Sequence, residues 1–223
     1  MTTFALDPLD LAALLCSRVC HDVISPVGAI INGLEVLEEE KDAEMRGFAL
    51  DLIKKSAETA SARLQFCRLA FGAAGSAGAS IDTGDAERVA RGLFGVERTE
   101  LIWNAPRLLM PKNKVKLILN LCLIAASAIP RGGVITVTLS GSDETARMTL
   151  AAAGTNAKLG SQVAPLLAGN PNQNSVDPQG IQAFYTGLVA KAANMTLNVA
   201  VACDLVTIEA EPQSAVATAD AVG

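Results

Sequence analysis

The chain has 223 residues, half of them apolar, and a formal net charge of -5 at pH 7. That length suffices for one large domain or two small ones with a buried core. Because no basic surface is evident, binding to DNA or RNA is disfavoured. The first residues hold two aspartates and no lysine or arginine, unlike a secretory signal, and no apolar run approaches the ~20 residues of a membrane span. We therefore expect a soluble protein that contacts neither nucleic acid nor membrane.

The five cysteines favour a reducing compartment. Their number is odd and their spacing irregular, which argues against a disulfide framework. Cys16 and Cys20 lie close to His21, the single histidine, but no further ligand cluster accompanies them. We expect reduced, buried thiols that behave as small hydrophobic side chains, no bound metal, and a cytoplasmic location.

Two long helices are predicted at the start of the chain. The first opens with Asp7 as its N-cap and Pro8 in the first helical position, and it runs to about Glu40. The charged stretch EEEKDAE forms a turn into a second helix that ends near Phe71. Such an antiparallel hairpin cannot enclose its own apolar stripe. We therefore expect two copies to pair as a four-helix bundle, which makes the protein a homodimer.

A change of composition marks the domain boundary. Residues 72–85, GAAGSAGASIDTGD, predict a flexible joint. Beyond it, periodicity predicts three helices near 84–94, 111–128 and 180–193, and five strands near 100–103, 133–140, 146–152, 195–202 and 204–210. These elements indicate an α+β chain whose second part is a layered α/β sandwich. The division is residues 1–75 for the hairpin, 81–211 for the sandwich and 212–223 for a disordered tail.

His21 is the most informative residue of the first helix. At 100° per residue, the apolar stripe falls opposite His21, whereas its own side carries small and polar residues, with Leu14 the single large apolar neighbour. The stripe contains Cys16, Val19, Val23, Val27, Ile30, Leu34 and Leu37. The histidine side contains Ser17, Arg18, Ser25, Gly28 and Asn32. The pattern predicts a solvent-facing imidazole, which fits an ordinary surface histidine as well as a reactive one.

The chemistry and the neighbours favour a reactive histidine. An ordinary imidazole has a pKa of about 6.5, so a neutral ring nitrogen is available as a nucleophile at pH 7. Asp22 is either a solvated charge or the acceptor of a hydrogen bond from the other ring nitrogen, which would fix the tautomer. Pro26 lies inside the helix, where it costs roughly 3 kcal/mol and frees the carbonyl group of Asp22. Small Gly28 and Ala29 leave room for another folded domain.

The order His21, Asp22, Ser25, Pro26 resembles the H-box of dimeric sensor histidine kinases. Residues 116–139 resemble the N-box helix of the same kinases and the strand after it. The matching positions there are Asn120, Leu121, Ala125, Gly132 and Gly133. The resemblance implies a dimeric four-helix bundle followed by a histidine-kinase-like α/β sandwich of the Bergerat type.

Several positions depart from the kinase pattern. Ile124 stands where active kinases have a magnesium-binding asparagine, and Ala152 stands where they have the aspartate that recognises adenine. The glycine-rich lid is reduced to residues 180–183, GIQA, which keeps only Gly180. Isoleucine cannot hold a metal ion, and alanine offers no acceptor to adenine. The resemblance therefore implies a degenerate ATP site and no ATP-dependent autophosphorylation.

A hairpin histidine beside a degenerate kinase domain is similar to the ChpT-type histidine phosphotransferases of the alphaproteobacterial cell-cycle phosphorelay, over the whole chain apart from its tail. This resemblance implies that His21 accepts a phosphoryl group from the receiver domain of a hybrid histidine kinase. It then passes the group to receiver aspartates of response regulators such as CtrA and CpdR. Asp22, Ser25 and Pro26 would be its immediate support. No cofactor is expected on this chain, since the partner receiver would supply the magnesium.

Four residues near the histidine are expected to contact the receiver, namely Leu14, Arg18, Ala29 and Asn32. Arg18 lies one turn before His21. It either steadies phosphoryl oxygens or an acidic receiver pocket, or is an ordinary solvated arginine.

Two other hypotheses stay open from the sequence. The first is a divergent sensor histidine kinase, which nucleotide binding would identify. The second is a non-catalytic dimeric adaptor that docks receiver domains, which a failure to accept phosphate from a receiver would identify. The residues at 124, 152 and 180–183 disfavour the kinase, and His21 in its H-box-like context disfavours the adaptor.

Overall fold

The structure is a computed structural model that describes residues 4–72, 78–95, 98–171 and 175–213. It begins with a helical hairpin formed by helix α1, Pro8–Glu39, and helix α2, Ala43–Ala70. The predicted start of α1 is confirmed, because the Asp7 carboxylate accepts a hydrogen bond from the backbone N–H of Leu9. Asp42 caps α2 in the same way.

The two helices of the hairpin approach each other closely at Gly33. A Cβ atom there would lie 2.6 Å from Cγ1 of Ile53 and 3.2 Å from the carbonyl oxygen of Ala49. Ser56 and Ala60 are further small residues of α2 that are buried. Glycine at position 33 therefore sets the distance between the helices.

The second part of the chain is a two-layer α/β sandwich. Its helices are α3 (Thr83–Phe94), α4 (Lys112–Ala128), α5 (Val163–Leu167) and α6 (Ile181–Ala192), with a 3-10 turn at Asp143–Thr145. Its strands are β1 (Ser80–Asp82), β2 (Thr99–Asn104), β3 (Leu109–Pro111), β4 (Gly133–Ser140), β5 (Arg147–Ala153), β6 (Met195–Ala202) and β7 (Leu205–Pro212). Five strands form one sheet in the order β2-β4-β5-β7-β6, parallel only between β2 and β4. Strands β1 and β3 form a small antiparallel pair.

Helix α4 is the centre of the core. Leu117, Ile118, Leu119 and Leu121 are fully buried, so the middle of this helix is buried on every side, as expected for a helix with neighbours all round. The same hydrophobic cluster extends to the end of α2 and to the first turns of α1. The hairpin and the sandwich therefore share one continuous core.

Most predicted elements agree with the structure, and the predicted joint is partly wrong. Residues 73–77 of that joint lie outside the described residues. From Ser80, however, the chain forms β1 and then α3, because β1 pairs with β3 and the Asp82 carboxylate caps α3. The sequence prediction also missed β3 and the short helix α5. Of the predicted tail, Pro212 belongs to β7, and residues 214–223 lie outside the described residues.

The expectation that no apolar stretch approaches the length of a membrane span is wrong for α1. By length and composition alone, this helix is long and apolar enough to cross a membrane. Only 6% of the apolar stretch is buried in the single chain. Core helices of soluble proteins and signal sequences pass the same test, and α1 packs along α2.

Candidate functional site

His21 lies in the middle of α1 with its side chain 87% exposed. Its neighbours on the same side of the helix, Ser25 and Asn32 among them, are also exposed. A Cβ atom added at Gly28 would meet nothing within 4 Å, so the surface beside the imidazole is low and open. The predicted solvent-facing orientation of the histidine agrees with this geometry.

Asp22 is paired with Arg18 rather than with the imidazole. The Nε atom of Arg18 donates to Oδ2 of Asp22 at 3.0 Å, along one turn of α1. The Nδ1 atom of His21 lies 3.8 Å from Oδ1 of Asp22, which is too long for a hydrogen bond. Of the two alternatives for Asp22, the hydrogen bond from His21 is not seen in this structure, where Oδ2 of the carboxylate is paired with the i, i+4 arginine. Arg18 is therefore ion-paired within α1.

Pro26 is buried on the side of α1 that faces α2. Its ring has no N–H to donate to the carbonyl oxygen of Asp22, four residues earlier. The structure supplies another donor, because Nη1 of Arg63 on α2 lies 2.5 Å from that oxygen. The sequence predicted the freed carbonyl group and missed its partner. The available signal was an arginine in the last third of α2, level with His21 once the hairpin is folded.

A cavity of about 220 Å³ lies behind the histidine, between the hairpin and the sandwich. Arg18, Asp22 and Arg63 line its polar side, and its other walls come from α2, α3 and α4. Cys67 is part of this wall. Burial, followed by the nearby Asp22 carboxylate, raises the pKa of Cys67 to about 11, so its thiol stays protonated at neutral pH.

A groove of about 240 Å³ lies on the hairpin surface next to His21. Helix α1 contributes Ser25, Pro26 and Ala29, and helix α2 contributes Lys55, Ser56, Thr59 and Arg63. The structure thus brings three of the sequence-predicted residues together with a polar strip of α2. Lys55 and Thr59 were missed, because nothing in the sequence shows which face of α2 lies beside the histidine.

The other three residues expected at the docking surface lie outside this groove. Leu14 is half-buried and packs against the hydrophobic core, so it is not a free surface residue. Arg18 is held by Asp22, with 31% of its side chain exposed. Asn32 is exposed two turns beyond Ser25 on the same side as His21.

Two of the positions expected to form a degenerate ATP site are packed into the core, and the third, Gly180, is partly buried. Ile124 is 2% exposed on α4, and Ala152 is fully buried in β5 between β4 and β7. A Cβ atom at Gly180, which precedes α6, would lie 2.8 Å from Cδ1 of Leu166. Ile124 and Ala152 therefore have apolar core surroundings.

The predicted apolar stripe of α1 splits in the structure. Val19, Val23, Ile30 and Leu37 are half-buried, whereas Val27 and Leu34 stay exposed. A second set of exposed apolar residues covers an arc of roughly 80° on one side of the helix. We call this set the outer stripe, and it contains Leu9, Cys16, Cys20, Ile24, Val27, Ile31 and Leu34. Five residues of the outer stripe expose large apolar side chains, a pattern typical of an interaction surface.

Within the described part of the chain, no three His, Cys, Asp or Glu side chains are placed to hold a metal ion.

Known proteins resemble this chain over most of its length. The family model for the histidine phosphotransferase C-terminal domain matches residues 83–204. The chain is 49% identical over 206 residues to the protein phosphotransferase ChpT of Brucella abortus (strain 2308), which spans 92% of this chain and 97% of that protein. A solved bacterial phosphotransferase superposes with a TM-score of 0.86 at 45% identity, over 95% of this chain and all of that one. A histidine kinase domain from Erythrobacter litoralis EL346 gives a TM-score of 0.47 at 14% identity, over 84% of this chain and 95% of that one.

Proposed function

This chain belongs to the histidine phosphotransferase family, and from that membership we propose that His21 relays phosphoryl groups between receiver domains. Protein phosphotransfer is the shared activity of this family. The observation that carries the choice of residue is the position of the single histidine. Its side chain is 87% exposed on a low, polar side of α1, next to a helix-interior proline.

The transfer is a displacement at phosphorus. Nδ1 of His21 faces the Asp22 carboxylate, so Nε2 is the nitrogen that meets the receiver. The lone pair of Nε2 attacks the phosphorus of an aspartyl phosphate and forms the N–P bond, while the bond to the aspartate oxygen breaks and the carboxylate leaves with the electron pair. The ring gives up its Nδ1 proton to solvent. The reverse steps return the group to another receiver aspartate, so His21 works in both directions.

The donor is the receiver domain of a hybrid histidine kinase, and the acceptors are response-regulator receivers of the CtrA and CpdR type. The groove beside His21 supports a docking site for them, because it combines a polar strip from α2 with the small side chains Ser25 and Ala29. Magnesium comes with the receiver. The chain contributes the nucleophile and the docking surface and binds no cofactor of its own.

The outer stripe supports a homodimer in which two hairpins form a four-helix bundle. In the single chain Ile24 is 69% exposed and Ile31 is 52% exposed, on one side of α1. A second copy of the hairpin covers these side chains with an equivalent surface. The same arrangement explains an apolar helix that lies outside the membrane, and it fits a cytoplasmic protein.

The phosphoryl group comes from another protein rather than from ATP. Phosphoryl transfer from ATP needs a positioned metal ion and groups that bind the nucleotide. Ile124 and Ala152 offer neither, and both are packed in the core. The role of a divergent kinase is therefore not supported.

The test is phosphate acceptance from a phosphorylated receiver. The wild-type protein should gain a label that is acid-labile and base-stable, as expected for a phosphoramidate. His21→Gln should gain none and keep its unfolding midpoint, because the imidazole is exposed and makes no core contact. Ser17→Ala, an exposed position one turn earlier, is the matched control and should accept label normally. Label on His21→Gln would overturn the assignment, and a wild-type protein without label would favour the adaptor.

A further inference from the structure

The backbone carbonyl group of Asp22 is bonded across the hairpin. In an uninterrupted helix this oxygen would accept from the N–H of residue 26, but residue 26 is proline. Nη1 of Arg63, 41 residues later on α2, lies 2.5 Å from the oxygen. A guanidinium donor makes a stronger hydrogen bond than the amide it replaces, because one partner carries a charge.

Asp22 is therefore held at two points by two arginines. Arg63 holds its carbonyl oxygen, and Arg18 holds its carboxylate at 3.0 Å. Both guanidinium groups border the cavity of about 220 Å³ behind the histidine. Its far wall comes from Phe94 and Leu123 of the sandwich, so these hydrogen bonds are partly shielded from water and are stronger for it.

We propose that Arg63 is a positioning residue for phosphotransfer, which replaces the backbone hydrogen bond lost at Pro26 and thereby fixes the turn of α1 that carries His21. The inference rests on the proposed function of His21. His21 precedes Asp22 directly, so a change in the backbone at Asp22 moves the imidazole. A misplacement of about 1 Å can slow a displacement at phosphorus about 100-fold.

Because Arg63 replaces the hydrogen bond that Pro26 removes, substituting both residues gives a specific test. In Pro26→Ala, residue 26 regains an N–H that can donate to the Asp22 carbonyl oxygen within α1. Arg63 is then redundant for this oxygen. Arg63→Met should slow phosphoryl transfer about 10- to 100-fold in the wild-type background and less than about threefold in the Pro26→Ala background.

Kinetics and docking are measured separately, because Arg63 also lines the groove beside His21. The rate constant of transfer should fall with Arg63→Met, whereas the KM for the phosphorylated receiver should change less. Arg63→Lys keeps a charged donor and should lie between the wild type and Arg63→Met. Arg68→Met, the same change at an exposed arginine further along α2, is the matched control and should leave transfer unchanged.

A second measurement does not depend on phosphotransfer. Because the chain has one histidine, an NMR spectrum of the imidazole nitrogens contains the signals of His21 alone. Arg63→Met should shift these signals, and adding Pro26→Ala should return them towards the wild-type positions. If the wild type accepts no phosphate while these shifts are seen, the proposed function fails and the positioning role stands.

Equal losses of transfer from Arg63→Met in both backgrounds would overturn the positioning role and assign Arg63 to docking. Unchanged transfer and unchanged imidazole signals in Arg63→Met would overturn it as well. If Arg63→Met does not fold, the comparison is made with Arg63→Lys, whose smaller loss should likewise vanish in the Pro26→Ala background.

Discussion

The side chain of Asn120 on α4 donates from Nδ2 to the carbonyl oxygen of Ala70, the last residue of α2, at 3.1 Å. The same Nδ2 donates to the carbonyl oxygen of Lys116, and Oδ1 accepts from Nε2 of Gln182 on α6 at 2.8 Å. Asn120 is fully buried. Asn120 therefore links the end of the hairpin to two helices of the sandwich. It is also one of the residues that resemble the N-box of kinases.

Replacing Asn120 with leucine should destabilise the protein by about 1–3 kcal/mol, because the Ala70 carbonyl oxygen and the Gln182 amide would stay buried with one hydrogen bond fewer each. Urea unfolding measures the change. Asn198→Leu on the exposed side of β6 is the control and should shift stability by less than about 0.5 kcal/mol. Equal stability of Asn120→Leu and the wild type would show that the hydrogen bonds of Asn120 do not contribute to the free energy of unfolding.

Restoring the polar group that kinases use for adenine should not restore ATP binding. Ala152→Asp puts a carboxylate at a fully buried position in the central part of the sheet, between the apolar residues Ile135 and Val206 on the neighbouring strands. The variant should unfold at a lower urea concentration than the wild type. Its urea midpoint should also be lower at pH 8 than at pH 5, because burial penalises the charged form of the new carboxyl group. Calorimetry with magnesium-ATP should show no binding at submillimolar concentration for either protein. Saturation by the wild type, or label on it from ATP alone, would identify a divergent kinase.

The sequence predicted the fold well where the signal was local. Helix α1 begins at Asp7 and Pro8 as expected, since an N-cap and a first-turn proline act within a few residues. Strands β4 and β6 coincide with their predicted ranges, because each is a run of alternating or β-branched residues bounded by turns. The three-residue strands β1 and β3 were missed, because each is stabilised mainly by pairing with the other. No periodicity can develop over three residues.

In the candidate site, too, the sequence predicted the local features and missed the contacts between helices. The exposure of His21 followed from the helical projection, and Pro26 indicated an unpaired carbonyl group at Asp22. The donor to that carbonyl, Arg63, depends on how α2 packs against α1, which the sequence did not specify. The sequence likewise left open whether Asp22 accepts a hydrogen bond from His21, and the structure does not show that bond. Arg18, one turn away, binds the Asp22 carboxylate instead, because its side chain is longer than that of histidine.

The outer stripe predicts that Ile31→Glu dissociates the dimer. Ile31 is 52% exposed in the single chain, so its own hairpin does not need it for folding. In the proposed bundle it is covered by the partner, where a carboxylate would be buried next to apolar side chains. Burying an isoleucine contributes about 1.5–3 kcal/mol, and each dimer loses two such contacts together with the added desolvation of the charge. Light scattering at micromolar concentration should give a dimer for the wild type and a monomer for Ile31→Glu.

Val201→Glu is the matched control for this experiment. Val201 lies on β6, far from the hairpin in the chain, and is 58% exposed. The same substitution there should leave a dimer. A wild-type protein that scatters as a monomer would contradict the bundle, and a dimer that survives Ile31→Glu would place the interface on another surface.

The reactivity of the five cysteines at pH 8 is a second test of the proposed dimer interface. Burial raises the pKa of Cys67 to about 11 and that of Cys122 to about 12, so only about one in a thousand Cys67 thiols, and fewer Cys122 thiols, are ionised and able to react. Cys16, Cys20 and Cys203 are exposed in the single chain. Cys16 and Cys20 belong to the outer stripe, however, and the dimer should cover them.

Alkylation of the native protein should therefore modify one thiol quickly, which peptide mass spectrometry should identify as Cys203. In the dissociated Ile31→Glu protein, Cys16 and Cys20 should react as well, giving three fast thiols. Unfolding in urea should release all five, because Cys67 and Cys122 then regain water and their ordinary acidity. Three fast thiols in the wild type at a concentration where it scatters as a dimer would show that the outer stripe is not the interface. Fast reaction of Cys67 in the native protein would show that the wall of the cavity behind His21 opens to solvent.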